Sequence, residues 1–260
     1  MIPQAFITHW RQEVPWVSED QVEQDLVLSK AIVQIFQDPF LADALALRGG
    51  TAFNKFFLDG HARYSEDIDL VQVHPEAIGK VLTALHGLLD PWLGDPTRDQ
   101  GKGNVTLRYR YQSESGKRMG LKVEMNTREH FTVFGYEEKS LAVKSPWFAG
   151  EAKVRTYALN ELLGTKMRAL YQRRKGRDLF DLWRGLQIAD TKEAKIVEAF
   201  HSYMKHEGHA ISRKEYQANL DEKMGHKGFL QDIHPLLAVG TVYDALVAME
   251  MVQSRLLPLI

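Results

Sequence analysis

The chain has 260 residues, of which 44% are hydrophobic and 26% are charged, as is usual in globular proteins. Its formal net charge of -1 excludes a general attraction to nucleic acid or membranes, so any such attraction must be local. It has no cysteine, which excludes disulfides and thiolate metal sites and is compatible with a reducing compartment. The N-terminus lacks the pattern of a secretory signal, and no apolar run approaches the ~18 residues that span a bilayer. These features predict a cytoplasmic protein that makes no membrane contact.

The first predicted elements are a long helix and a segment of ambiguous character. Ser18 and Gln21 have the spacing of a capping box, and apolar residues follow them at helical spacing. This helix should end near Asp38 and Pro39, because proline cannot continue it. The next stretch, FLADALALRGG, fits a helix or a strand. It ends in a pair of glycines, which can adopt backbone conformations that other residues avoid.

A short helix, a turn and a strand are predicted next. The stretch TAFNKFFL favours a short helix, and Asp59 and Gly60 favour a turn. The stretch EDIDLVQV alternates polar and apolar residues, so it predicts a strand on which Asp67 and Asp69 share one face. A helix over PEAIGKVLTALHGLLDPWL should follow this strand.

The later part of the chain changes from strands to helices. The stretches NVTLRYRY and MGLKVEMN also alternate, and the turn-rich QSESGKR between them predicts an antiparallel hairpin. From YALNELL onward the strand signals end and helical patterns follow. The sequence therefore predicts an α+β protein, with a mixed sheet and flanking helices in residues 1–150 and a mainly helical part in residues 151–260.

The two aspartates raise the main chemical question. Carboxylates side by side on one strand face repel each other unless a positive charge lies between them. Hard oxygen donors in this arrangement suit a divalent cation such as Mg²⁺, and Glu124, on the polar face of a neighbouring strand, is a candidate third carboxylate. The alternatives are a solvated face or pairing with basic side chains, for which the candidates are Arg108, Arg110 and Lys122.

The glycine pair adds a feature that suits phosphate. Gly49 and Gly50 precede the short helix, and free amides at a helix N-terminus bind phosphate well, although a glycine pair is also common in simple turns. Ser65 lies two residues before Asp67, where its hydroxyl could hydrogen-bond a phosphate oxygen or cap a loop.

A basic run forms the third feature. Residues 166–177 contain six basic residues and no acidic one, and we predict one helix that Lys166 opens and whose later part carries the rest of the run. Asp178 and Asp181 follow one turn apart in an apolar context where carboxylates need partners, and Lys166 and Arg177 are the candidates. A solvated basic face is the alternative explanation of the run.

Together these motifs resemble those of the AbiEii/AbiGii toxin family of nucleotidyltransferases, within the DNA polymerase β-like superfamily. The resemblance runs from about Leu45 to Trp183. It is carried by Gly49, Gly50, Thr51, Lys55, Arg63, Ser65, Asp67, Asp69, Lys166, Ala169, Arg177, Asp178 and Asp181. It implies a nucleotidyltransferase core in residues 1–150 and a helical domain in residues 151–260 that completes the active site.

The resemblance also implies roles for these residues. The reaction would transfer a nucleotide from a nucleoside triphosphate, release pyrophosphate and use Mg²⁺ or Mn²⁺. Asp67 and Asp69 would hold the metal, with Glu124 as a further candidate, while Lys166 would contact the outer phosphates and Asp178 would have an active-site role. The implied nucleotide-binding residues are Gly49, Gly50, Lys55, Arg63, Ser65 and Arg177.

The family resemblance further implies a bacterial or phage toxin with a cognate antitoxin. The expected acceptor is RNA, most simply the 3′ end of tRNA, whose modification blocks translation. The basic run and the stretch TLRYRYQ agree with this, because both could follow a phosphate backbone. Two alternatives stay open: a nucleotidyltransferase that modifies a protein or a small molecule, and a nucleotide-binding module without catalysis.

Overall fold

The computed structural model of the protein describes residues 2–58 and 62–260. The turn predicted at Asp59 and Gly60 lies outside the described residues. The chain divides into two compact units, the first formed by the residues up to Thr132 together with Tyr136–Tyr157, and the second by Val133–Gly135 together with Ala158–Ile260. The change expected near Gly150 falls inside a strand that ends at Tyr157.

The first unit is built on a mixed sheet, which among the described residues has seven strands. The strands are β1 (Leu45–Arg48), β2 (Asp67–Gln72), β3 (Thr97–Gly101), β4 (Asn104–Gln112), β5 (Arg118–Asn126), β6 (Tyr136–Lys144) and β7 (Ala149–Tyr157). Their order in the sheet is β3-β4-β5-β2-β1-β7-β6. β2 pairs with β5 and β1 with β7 in parallel, and the other pairs are antiparallel.

Helices flank this sheet in the same unit. They are α1 (Gln4–Trp10), α2 (Glu19–Gln37), α3 (Pro39–Ala44), α4 (Gly49–Phe56) and α5 (Gly79–Leu93). The capping box predicted at the start of α2 is confirmed, because Ser18 and Gln21 each bond the other's backbone N–H. The ambiguous stretch after α2 is a helix and then a strand, since Asp38 caps α3 and β1 follows directly.

The strands that were predicted from clear alternation are confirmed, and the structure also contains strands that the sequence did not predict. β4 and β5 form the predicted antiparallel hairpin, and β2 covers the predicted strand. β3, β6 and β7 carry no such prediction. All of β3 and many positions of β6 are exposed, and an exposed strand has no apolar face to produce the alternating pattern.

The second unit is helical, as predicted. Its α-helices are α6 (Leu159–Gln172), α7 (Gly176–Gly185), α8 (Glu193–His206), α9 (Arg213–Met224), α10 (Lys227–Gln231) and α11 (Ala245–Arg255). The prediction that Lys166 opens a single helix carrying the basic run is wrong. Lys166 lies in the middle of α6, and the chain becomes extended at Arg173 before α7 starts at Gly176.

The fold class is therefore the predicted one, a mixed sheet with flanking helices and a helical C-terminal part. In residues 2–58 and 62–260, no helix combines the length and the apolar character that a membrane crossing requires.

One buried ion pair of the first unit involves a predicted nucleotide-binding residue. Lys55, near the end of α4, donates to Asp25 Oδ1 at 3.1 Å and to Ser29 Oγ at 2.9 Å. Trp10 Nε1 donates to the other oxygen of Asp25 at 3.0 Å. The side chains of Lys55 and Asp25 are 8% and 3% exposed, so the pair joins α2 and α4 inside the unit.

Lys55→Met is expected to lower the free energy of unfolding by about 3–5 kcal/mol, because it leaves the buried Asp25 carboxylate without its cation. Urea unfolding followed by tryptophan fluorescence measures the change. Lys80→Met, at an exposed lysine, is the control and should stay within about 0.5 kcal/mol of the parent. An unchanged unfolding free energy in Lys55→Met would show that the ion pair adds nothing to stability.

Candidate active site

The carboxylates of the candidate site are positioned by the pairing of β2 with β5. In the parallel register Asp67 lies beside Lys122, and Asp69 lies beside Glu124. Side chains at paired positions of neighbouring strands point to the same face of a sheet. Asp67, Asp69 and Glu124 therefore share one face, as predicted from the alternation, while Ile68 on the other face is fully buried.

Gly49 and Gly50 bring the chain close to this face. Gly49 has a φ of 78°, in the left-handed region that favours glycine, and a Cβ there would overlap the carboxylate of Asp69. A Cβ on Gly50 would overlap the guanidinium of Arg63 and lie 3.1 Å from Ser65 Oγ. Both glycines are needed because side chains already occupy the space around them.

Hydrogen bonds tie the start of α4 to the segment before β2. Thr51 Oγ1 donates to the carbonyl of Asp67 at 2.6 Å and lies 2.9 Å from Ser65 Oγ. Arg63 is 2% exposed, and its Nη1 donates to the carbonyl of Tyr64 at 2.9 Å. The structure thus brings together the predicted residues Gly49, Gly50, Arg63, Ser65, Asp67, Asp69 and Glu124.

Two cations lie among these carboxylates. Lys122 Nζ is 2.8 Å from Glu124 Oε2 and 3.5 Å from Asp67 Oδ2. Of the alternative partners considered for the aspartates, Lys122 is thus the one that makes the contact. On the other side of β2, Arg48 lies opposite Asp69 in the register and forms an ion pair with the buried Glu129.

Arg48 and Glu129 were not anticipated from the sequence. Arg48 directly precedes the glycine pair, and a basic residue at the end of a strand next to such a pair is a usable local signal. Glu129 follows β5, and its backbone N–H donates to the side chain of Asn126 at 2.8 Å. Because its contact with Arg48 depends on the order of the strands, no local pattern identifies it.

The charges of the cluster affect one another's ionisation. Burial and the neighbouring Asp67 carboxylate raise the pKa of Asp69, although Arg48 and Lys122 oppose this. Burial also works against ionised Glu124, but the hydrogen bond and the charge of Lys122, together with Arg48 and Asn104, outweigh it, and the pKa of Glu124 is lowered. The face is therefore a site of concentrated negative charge that its two cations offset only in part.

The donor set suits a divalent metal ion. Asp67 and Asp69 supply hard carboxylate oxygens on one face, which is the chemistry that Mg²⁺ prefers. Within the described ranges, however, no group of three or more acidic, histidine or cysteine side chains is arranged to hold a metal ion. The two aspartates are thus the fitting ligands, and Glu124 is instead engaged by Lys122.

The second unit contains an ion cluster around two buried aspartates. Lys166 Nζ is 2.7 Å from Asp181 Oδ2 and 3.4 Å from Asp178 Oδ1. Arg173 donates to both oxygens of Asp178, from Nε at 2.7 Å and from Nη2 at 2.9 Å. The two aspartates are fully buried and Lys166 is 5% exposed.

This cluster agrees in part with the expected partners of the acidic pair. Lys166 is the partner of both aspartates, but the second cation is Arg173, from the extended link between α6 and α7. Arg177 meets Asp232 through its backbone N–H at 3.3 Å. Burial opposes ionisation of Asp178, but Lys166 and Arg173 outweigh it and lower the pKa of that carboxyl.

Asp178→Asn is expected to lower the free energy of unfolding at pH 7 by about 3–5 kcal/mol, because it leaves the buried Lys166 and the half-exposed Arg173 short of a carboxylate. Since the pKa of Asp178 is lower in the folded than in the unfolded chain, its stabilisation is complete above about pH 4 and is lost as the pH falls through the folded value. The difference in unfolding free energy between the parent and Asp178→Asn should therefore decrease from pH 7 towards pH 3.

Unfolding by guanidinium chloride at several pH values measures that difference in unfolding free energy. Asp190→Asn, at an exposed aspartate, is the matched control and should lie close to the parent throughout. A difference that is independent of pH would contradict the assignment of the effect to the Asp178 charge.

The chain is similar to one family of known proteins and to several solved structures. A family model described as the nucleotidyl transferase AbiEii toxin of a type IV toxin–antitoxin system matches residues 30–245. MenT4, a nucleotidyltransferase toxin from Mycobacterium tuberculosis H37Rv, shares 16% identity at a TM-score of 0.61, over 98% of this chain and 88% of that one. JHP933 from Helicobacter pylori shares 18% identity at a TM-score of 0.57, over 92% and 94% of the two chains. No curated protein matches the sequence.

At such low identity the two solved structures support the fold alone. The family model carries the assignment, because it covers most of the chain and includes both the aspartate pair of β2 and the buried cluster of the second unit. The chain belongs to the AbiEii family of nucleotidyltransferase toxins of type IV toxin–antitoxin systems.

Proposed function

We propose that this nucleotidyltransferase transfers a nucleotide from a nucleoside triphosphate to the 3′ hydroxyl of an RNA, with tRNA as the acceptor and Mg²⁺ or Mn²⁺ as the metal. The observation that carries the proposal is the convergence on one sheet face of Asp67 and Asp69 with Gly49, Gly50 and Ser65. Carboxylates for a metal and small or hydroxyl-bearing residues for phosphate are what such a reaction requires.

The transfer forms a bond between the acceptor hydroxyl oxygen and the α-phosphorus and breaks the bond to pyrophosphate. A bound divalent ion would neutralise phosphate charge and ease ionisation of the attacking hydroxyl, and Asp67 and Asp69 are the residues that would hold it. Glu124, beside Asp69 in the register, is the proposed acceptor of the hydroxyl proton.

The residues around the glycine pair would hold the triphosphate. Gly49 is half-buried and begins α4, and the backbone N–H groups of the first turn of this helix would donate to phosphate oxygens. Ser65 Oγ lies beside Gly50 and supplies a hydroxyl donor. Arg63 is proposed to support the phosphate site indirectly. Its buried guanidinium lies against Gly50 and would hold the backbone there in place.

The remaining predicted residues have proposed roles with different structural support. Lys166 is proposed to contact the outer phosphates and Asp178 to orient its ammonium, in keeping with their ion pair. Lys55 and Arg177 remain proposed nucleotide contacts, although the Lys55 ammonium is engaged by Asp25. The cognate antitoxin is the partner that family membership implies.

Asp67→Asn is expected to reduce nucleotide transfer at least 100-fold, because an amide is neutral and binds a hard cation poorly. The assay incubates the protein with each α-labelled nucleoside triphosphate, total RNA and Mg²⁺, and measures label in small RNA. Glu66→Gln removes the same charge from the exposed neighbouring residue and should keep most of the activity.

The same assay separates the proposal from its alternatives. Label that enters small RNA with the parent and Glu66→Gln, but not with Asp67→Asn, supports the proposed reaction. Full activity in Asp67→Asn would overturn the metal assignment. Label in protein or in a small product instead of RNA would overturn the RNA acceptor while leaving nucleotide transfer in place.

Lys122→Met is expected to tighten Mn²⁺ binding by about fivefold or more. The ammonium of Lys122 lies against Asp67 and Glu124, and a unit charge at about 4 Å contributes about 1 kcal/mol even at the dielectric constant of water. Isothermal titration with Mn²⁺ in the absence of nucleotide measures the affinity, and Lys80→Met is the control. Unchanged or weaker binding would show that Lys122 does not compete with the metal.

A further inference from the structure

The sheet face that carries the aspartate pair continues as a row of arginines. In the antiparallel register of β4 and β5, Arg108 lies opposite Lys122, Arg110 opposite Gly120, and Gln112 opposite Arg118. Alternate residues of a strand share a face, so Arg108, Arg110 and Arg118 lie on the same face as Lys122, which itself lies beside Asp67 on β2.

Among the described residues these three arginines have no acidic partner, unlike Arg48 and Lys55 of the same unit. Arg108, Arg110 and Arg118 are exposed, and within residues 2–58 and 62–260 none of the three forms an ion pair. An arginine beside an available carboxylate is normally paired with it, as Arg48 is with Glu129. Three adjacent guanidinium groups without carboxylates repel each other, and an external anion would relieve this repulsion.

The charge along this face changes sign from one end to the other. Asp67, Asp69 and Glu124 form the acidic end, and on the outer side Asp99 of β3 lies beside Thr106 at the same end. The basic end begins at Arg108 and extends to the last residues of the β4–β5 hairpin. A face of this kind suits a ligand whose reacting end needs a metal and whose remaining length carries negative charge.

The shape of the basic end allows a chain to approach. Gly120 has no side chain opposite Arg110, and a groove of about 680 Å³ is lined by Arg110, Tyr111, Gln112, Arg118, Met119 and Gly120. Neighbouring positions on one face of a strand are about 6.8 Å apart. Guanidinium groups at that spacing can each engage a separate phosphate, with two parallel hydrogen bonds per group.

We propose that Arg108, Arg110 and Arg118 bind successive backbone phosphates of the single-stranded 3′ segment of the RNA acceptor, and so direct its terminal hydroxyl towards Asp67 and Asp69. This inference rests on the proposed function and adds the surface that holds the acceptor. Arg108 and Arg110 follow each other on one face of β4, and Arg118 continues the set on the neighbouring β5, so these separated cations fit the regular charges of a polynucleotide. The contacts are to phosphate, so they bind without reading the base sequence.

The test compares two triple variants with the same loss of charge. R108Q/R110Q/R118Q removes the proposed contacts, and K80Q/K144Q/K227Q removes three exposed lysines elsewhere. Binding of a fluorescent single-stranded oligoribonucleotide is measured against salt concentration. The arginine variant should bind at least 10-fold more weakly, and the slope of log affinity on log salt should fall by about 2, since each phosphate contact contributes about 0.7 on a single strand.

Steady-state kinetics give a second readout. In the arginine variant the KM for RNA should rise at least 10-fold, while the KM for the nucleoside triphosphate and kcat should stay within about twofold, because the residues act on acceptor binding alone. The lysine variant should match the parent in every measurement. Circular dichroism confirms that both variants fold.

The outcomes distinguish this inference from the proposed function. If the arginine variant binds and uses RNA like the lysine variant while the parent transfers label, the inference is overturned and the proposed function stands. If only the arginine substitutions weaken RNA binding but the parent transfers no label to any RNA, the proposed function fails and the binding surface stands. If a polyglutamate peptide of equal charge binds as tightly as the RNA, the assignment to RNA is overturned.

Discussion

The candidate site depends on the fixed distance between two carboxylates that repel each other. Asp67 and Asp69 are held on one face because β2 lies between β5 and β1, and its opposite face buries Ile68 and Leu70 in the core. A slip of β2 by one residue would bury the carboxylates and expose the apolar side chains, so the hydrophobic core maintains the arrangement. Packing energy, spread over the whole sheet, thus opposes an electrostatic repulsion that is local.

The two strands that flank β2 each contribute a cation. Lys122 comes from the parallel partner β5, and Arg48 comes from the antiparallel partner β1. Neither neutralises the cluster, because Lys122 is shared with Glu124 and Arg48 with Glu129. The remaining negative charge would attract a divalent ion, and the nearby cations would limit that attraction. The sheet order therefore determines both the position of the carboxylates and the net charge around them.

What the sequence predicts well is what local spacing controls. Alternation identified β2, β4 and β5, and the spacing of Ser18 and Gln21 identified the start of α2. Strands β3 and β6 could not be found in this way, because exposed strands lack an apolar face, and β7 is buried only at its C-terminal end. The break between α6 and α7 was also missed, since the basic residues there are compatible with a helix. In the folded unit, Arg173 binds Asp178 and the chain at Arg173 is extended.

The site shows the same division between local and non-local information. The family pattern predicted the residues around the glycine pair and the aspartates, because they are close in sequence or share a strand. The contacts of Lys122 and Arg48 require the pairing of strands distant in sequence, which no short window contains. Lys55 illustrates the opposite case, since its place in the motif does not reveal that its ammonium is bound to Asp25.

The buried cluster of the second unit bears on what Lys166 can do. Lys166 and Arg173 balance Asp178 and Asp181, so the cluster as a whole is neutral. Burying such a set of charges rarely stabilises a fold more than apolar packing of equal volume would, and this favours a role beyond stability. A phosphate that approaches Lys166 must compete with two carboxylates for its ammonium. Arg173 is half-exposed and already binds Asp178 with two donors. It would therefore keep Asp178 paired if Lys166 bound a phosphate, so the proposed phosphate contact of Lys166 is compatible with its buried position.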